Sequence, residues 1–137
     1  MKTRAALIIL VLLISGLLAG CRTDPNHEFI QGQWLFANAQ GDSRSGTGHV
    51  YYEWRFDNGS FSSYFEVAMG KPQTLDGYYR ILSSEGDQIV LEIYDLDGTQ
   101  ASQYTDRTGQ ITLTIDRENE QLKIARQWFY RGYTKSD

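Results

Sequence analysis

From Trp34 to Tyr130 apolar and polar residues alternate with a period of two, and no stretch carries a helical stripe of useful length. That patterning predicts an antiparallel sheet with one buried and one wet face. A first strand spans Trp34 to Ala37. The clearest element is a hairpin around Asn58-Gly59, a dipeptide suited to the two positive φ values of a type I′ turn. Counting outward from that turn pairs Asp57 with Ser60, Phe56 with Phe61, Trp54 with Ser63, Tyr52 with Phe65 and Val50 with Val67. The inner face then holds Tyr52, Trp54, Phe56, Phe61 and Phe65. The outer face sets Glu53 across from Tyr64 and Tyr51 across from Glu66, which makes the two tyrosines diagonal neighbours.

The second half continues the alternation. Gly77, Tyr79 and Ile81 alternate with Tyr78, Arg80 and Leu82, and Ile89, Leu91 and Ile93 alternate with Val90, Glu92 and Tyr94. Asp95-Leu96-Asp97-Gly98 predicts a turn, followed by a weaker strand over Thr99 to Tyr104 and another marked by Ile111, Leu113 and Ile115. A four-residue turn over Arg117 to Glu120 places Ile115 opposite Leu122 and Leu113 opposite Ile124. Read as one strand, residues 122–130 put Arg126 and Trp128 inside and Phe129 outside. A guanidinium between Ile124 and Trp128 needs a partner or a ring to cover. About eight strands result, as an all-β, up-and-down antiparallel barrel or meander. Ahead of them, Pro25 to Phe29 predicts one helical turn with Asp24 as its cap and Pro25 in the first helical position.

The amino terminus is of a different kind. Lys2 and Arg4 precede an unbroken apolar run from Ala5 to Ile14, then Ser15-Gly16 and the small-residue region Leu18-Ala19-Gly20-Cys21. Ala5 to Ala19 as a helix spans roughly 22 Å, short of the roughly 30 Å hydrocarbon core of a bilayer. The segment resembles the leader of bacterial lipoproteins. That resemblance implies cleavage before Cys21, the chain's single cysteine, and acylation of its thiol, with two or three chains holding the protein on the membrane at about 0.8 kcal/mol per buried methylene. The expected organisation is a signal peptide over 1–20, a lipidated tether over 21–28, a β domain over 29–133 and a tail over 134–137. The expected location is the cell envelope, on the extracytoplasmic side. In a host with two membranes, Arg22 in the second mature position permits delivery to the periplasmic face of the outer membrane, because the family's retention residue there is Asp.

Composition narrows the chemistry. The chain has 13 basic and 17 acidic residues; without Lys2 and Arg4 the mature part stands at −6, a poor surface for nucleic acid. With Cys21 acylated, no thiol remains for a disulfide, a metal cluster or a nucleophile. His27 falls in the tether and His49 at a strand start, without a third ligand for a metal. The glycine-rich loop Gly41 to Gly48 lacks the Gly-Lys-Ser/Thr ending of a phosphate loop. Asp95-Leu96-Asp97-Gly98 carries only a fragment of a calcium-loop pattern. No serine stands in a nucleophile-elbow context, and Glu53, Glu66 and Glu92 point to outward faces. The expectation is a protein that is not an enzyme and carries no cofactor or metal.

A Gly-x-Trp at the entrance to the first strand, Gly32 to Trp34, follows a helical turn and precedes an up-and-down run of strands ending in an Arg. This resembles the lipocalin-like barrels. In that group the Trp closes one end of the barrel and a basic side chain of the last strand stacks on it, a role that falls to Arg126, or to Arg131 if the last register slips. The Thr-Asp-Tyr motif of full lipocalins is missing, since Tyr104-Thr105-Asp106 has another order. The resemblance implies binding of a small apolar or amphipathic ligand, with Tyr52, Trp54, Phe65, Tyr79 and Trp128 lining the site and Arg126 supplying charge. The alternative is a structural or accessory lipoprotein that meets an envelope protein through outward Tyr51, Tyr64, Tyr78, Tyr94 and Phe129. Accessory subunits and inhibitors of envelope enzymes fall in the same class.

Overall fold

A computed structural model describes residues 23–36 and 50–132. Cys21 and its leader, the glycine-rich loop, His49 and Tyr133 lie outside the described residues. The chain opens with helix α1 (Pro25–Ile30). Asp24 caps it by accepting the Asn26 amide at 3.0 Å, and Pro25 occupies the first turn, where no amide is needed.

Eight strands follow: β1 (Gly32–Phe36), β2 (Val50–Asp57), β3 (Ser60–Val67), β4 (Gln73–Glu85), β5 (Gln88–Asp97), β6 (Gly109–Asp116), β7 (Gln121–Ile124) and β8 (Gln127–Arg131). Each pairs antiparallel with its neighbour in sequence, and β1 also pairs with β8, so the sheet closes into a barrel. Closure leaves no strand in the ring with an unpaired edge. At the β2–β3 turn Asn58 and Gly59 have φ values of 40° and 100°, and the register runs from Asp57 opposite Ser60 to Val50 opposite Val67, as expected. The turn over Arg117 to Glu120 likewise sets Ile115 opposite Leu122 and Leu113 opposite Ile124.

Three expectations are corrected. Asp95-Leu96-Asp97 is the end of β5 and not a turn. Asp76 pairs with Asp97 and Tyr78 with Tyr94, so Gly77 alone stands opposite Asp95 and Leu96. This β-bulge tips Asp95 to a φ of 50° and drives Leu96 fully into the core. Residues 99–104 form no strand: 3₁₀ turns at Ala101–Gln103 and Thr105–Arg107 occupy this stretch. The expected last strand is two strands, because Ala125 and Arg126 adopt φ values of 47° and 73° and reverse the chain. Across that two-residue turn Ile124 pairs with Gln127 and Leu122 with Phe129. The inward set therefore passes from 122 and 124 to 129, not to 126 and 128. Phe129 is fully buried, whereas Arg126 and Trp128 are exposed. One strand is lost and one gained, so the total of eight stands for a reason the pattern did not contain.

The interior is filled by the barrel's own side chains. Trp34, Phe56, Leu91, Leu113, Leu122 and Phe129 are all sealed from solvent to within 1%. The helix docks on this core through Ile30 and through Asn26, whose amide nitrogen donates to Ser84 Oγ at 2.9 Å and to the Gly86 carbonyl at 3.1 Å. Asn26 thus already belongs to the folded domain.

Candidate binding site at the barrel end away from the helix

The two ends of the barrel differ. At the α1 end, the Trp34 indole donates to the Ile30 carbonyl at 2.8 Å. Arg131, the last residue of β8, lays its guanidinium 4.3 Å from the Trp34 ring centre. It donates to the carbonyls of Gln31 at 3.0 Å and Phe29 at 2.8 Å. The Phe29 ring centre lies 5.0 Å from this guanidinium and 5.4 Å from that of Arg117. Gly32 turns the chain from helix to strand at a φ of 102°, which other residues adopt only with strain. Arg126, expected to close this end, is instead in the β7–β8 turn; the cation over the indole is Arg131. Tyr79 completes the closure from the core side. Its hydroxyl accepts from Gln31 Nε2 at 2.9 Å, which leaves its own hydrogen free for His27 Nε2 at 3.0 Å.

At the other end nothing comparable seals the described residues. Phe36, Tyr52, Tyr104 and Ile111 are only partly buried there, packed against the core from above. Tyr52 is the hub: its ring meets Phe65 edge-on at 5.1 Å and Phe129 at 5.0 Å, and Phe129 in turn touches Phe36 at 5.9 Å. Phe129 is the floor, since it is fully buried. Beside these rings a cavity of about 390 Å³ opens between the β3–β4 connection and residues 99–103, lined by Phe65, Val67, Lys71, Pro72, Gln100 and Gln103. Tyr104 reaches the rim because Gly109 leaves room; a Cβ there would stand 2.8 Å from the Tyr104 ring. Burial raises the Tyr104 hydroxyl pKa, and the neighbouring Tyr52 adds to the shift. The cavity itself presents the Phe65 ring, the Lys71 side chain and the amides of Gln100 and Gln103, with Tyr52 packed against Phe65.

Of the six residues expected to line a ligand site, Phe65 lines this cavity and Tyr52 packs edge-on behind it. Trp54 and Tyr79 are each 4% exposed and belong to the packed core. Trp54 stacks on Phe56 and Phe61, and its indole nitrogen is buried without a hydrogen-bond partner among the described residues. Trp128 lies on the outer surface, 5.7 Å from the Lys123 ammonium, and Arg126 is exposed beside it in sequence. Phe36, Lys71, Tyr104 and Ile111 were not among the expected residues. Their signal is faint, because three of them lie at strand ends or in loops where alternation has stopped.

No family model matches this chain, no curated protein matches it, and no solved structure matches it. Function must therefore be argued from geometry.

On the outer face, Tyr51 and Tyr64 meet edge-on at 5.9 Å. The Tyr51 hydroxyl donates to Glu53 at 2.6 Å and the Tyr64 hydroxyl to Glu66 at 2.9 Å, so both phenols already have acceptors. Burial and the Glu53 carboxylate push the Tyr51 pKa up to about 12. Tyr78 and Tyr94 stack at 6.0 Å, and Arg80 covers Tyr94 while pairing with Glu92. Phe129, expected on this face, is absent from it. Among the described residues no group of three His, Cys, Asp or Glu side chains is arranged to hold a metal ion.

Proposed function

We propose that this is a lipid-anchored extracytoplasmic lipoprotein, carried on the membrane through Cys21, whose lipocalin-like barrel binds a small apolar or amphipathic molecule without catalysis. The anchor rests on the lipoprotein-like leader. The lipocalin-like reading is supported by Gly32, Trp34 and Arg131 at the closed end. The observation that carries ligand binding is a cavity of about 390 Å³ at the end of the barrel away from α1, lined by Phe65 and Lys71, with the Tyr52 ring edge-on to Phe65 behind it. That volume lies at the low end of small-molecule sites, roughly 300–1,000 Å³. The ligand accordingly sits at the rim and does not reach the filled core. A short acyl chain or one to two rings matches that volume, with Lys71, Gln100 and Gln103 placed to meet a polar head.

Native mass spectrometry of the detergent-extracted full chain tests both parts. The expected result is a mature chain starting at acylated Cys21, carrying a bound small molecule that Phe65→Ser or Tyr104→Ser depletes about tenfold while cooperative unfolding persists. An unmodified Cys21 sinks the anchor. A bare barrel, or one whose adduct survives both substitutions unchanged, sinks the ligand site.

A further inference from the structure

We propose that a groove on the outer face of β4 and β5, beside Tyr78, receives a lysine or arginine side chain from a protein partner. The groove has a volume of about 400 Å³ and is lined by Phe61, Asp76, Gly77, Tyr78, Asp95 and Asp97. Its form follows from the bulge. Gly77 faces two residues of β5, and a Cβ there would stand 2.9 Å from both Leu96 Cδ2 and the Tyr94 carbonyl. Leu96 fills the space under Gly77, and the turned-out Asp95 makes part of the wall.

The groove carboxylates have no ion-pair partner among the described residues, although one Asp97 oxygen accepts the Gly98 amide at 2.8 Å. Asp76 and Asp97 are direct cross-strand partners, a like-charge pairing that destabilises a sheet. Partial burial together with Asp97 raises the Asp76 carboxyl pKa. The ion pairs among the described residues are Arg55 with Glu53, Arg80 with Glu92 and Arg117 with Asp87, so none of these cations serves the groove. Arg80 is the nearest basic residue along β4, and it is already engaged over Tyr94. Tyr78 is 52% exposed, its ring held in place by stacking on Tyr94. A fixed π-face next to unneutralised carboxylates is complementary to an organic cation. The three carboxylates do not converge as metal ligands, which favours an extended guanidinium or ammonium group over a metal ion. The site lies on a sheet face and not in the mouth, so the occupant is a side chain projecting from a partner that covers the sheet. It does not depend on the ligand reading of the barrel end away from the helix.

The test is fluorescence anisotropy of a labelled tetra-arginine peptide with the detergent-extracted full chain at low salt. Asp76→Asn with Asp95→Asn is expected to weaken binding about tenfold; Asn tolerates the positive φ at position 95. Tyr78→Ser, with an unchanged cooperative unfolding transition showing that the barrel still folds, is expected to weaken it about threefold with no change of charge. Glu85→Gln with Glu118→Gln removes two charges elsewhere and is expected to leave affinity within twofold. The proposal is overturned if that control loses as much as the groove variant, if Tyr78→Ser binds as the parent does, or if no saturable binding is seen. Phe65→Ser is expected to leave peptide binding intact, so failure at the mouth and failure at the groove are separable.

Discussion

A single guanidinium, that of Arg131, satisfies two main-chain carbonyls and covers the Trp34 indole at the point where helix and barrel meet. Hydrogen bonds to a charged group contribute about 1.5–3 kcal/mol, and a partly desolvated cation–π contact about 1 kcal/mol more. Arg131→Ala is therefore expected to lower stability by about 3 kcal/mol, read as a shift of the urea midpoint. Arg126→Ala, at an exposed turn position, is expected to move it by less than about 0.5 kcal/mol. Equal effects would mean that Arg131 closes nothing. Trp34 and Gly32 were legible because Gly-x-Trp sits where period two begins. Which arginine covers the indole was not legible, because that depends on counting through a turn whose two residues, Ala125 and Arg126, carry no turn signature.

That turn shows what an element discloses and what it hides. Asn58-Gly59 announced the β2–β3 hairpin because those side chains tolerate positive φ, and every pair counted from it is found. Ala125 and Arg126 adopt the same left-handed region at φ values of 47° and 73°, although each costs about 1–2 kcal/mol there. Tertiary packing overrides the local preference: in this register Phe129 reaches the core opposite Leu122. Substituting Asn-Gly for Ala125-Arg126 is expected to stabilise the barrel by about 1–2 kcal/mol, visible as a rise in Tm. No change, or a fall, would contradict the turn. The same logic explains the other misreadings. Leu96 is pulled inward by a bulge that needs an unusual φ at Asp95. Residues 99–104 had the composition of a strand but no neighbour left to pair with, because β5 and β6 pair directly through Ile93 and Gly109.

At the scale of the molecule, alternation revealed one wet face and an up-and-down order, but closure rests on β1 meeting β8 across the whole domain. Nothing in either strand names the other as its neighbour. Closure also fixes an outer surface on which carboxylates and phenols are interleaved, and this sets how the protein responds to alkali. Tyr51 donates to Glu53, and its pKa is held at about 12 against an ordinary value of 10.0. The folded chain thus binds this proton more tightly than the unfolded chain does. The resulting stability is fully present below pH 10 and is lost as pH rises toward 12. Tyr64 is shifted in the same direction by its hydrogen bond to Glu66. Solvent screening at this half-exposed site reduces the Tyr51 contribution to about 1 kcal/mol. In urea titrations at successive pH values, the parent is expected to lose about 1 kcal/mol more than Tyr51→Phe between pH 10 and pH 12, because phenylalanine has no proton to give up. Parallel curves would show that burial of the Tyr51 hydroxyl and its hydrogen bond to Glu53 do not hold this proton in the folded chain.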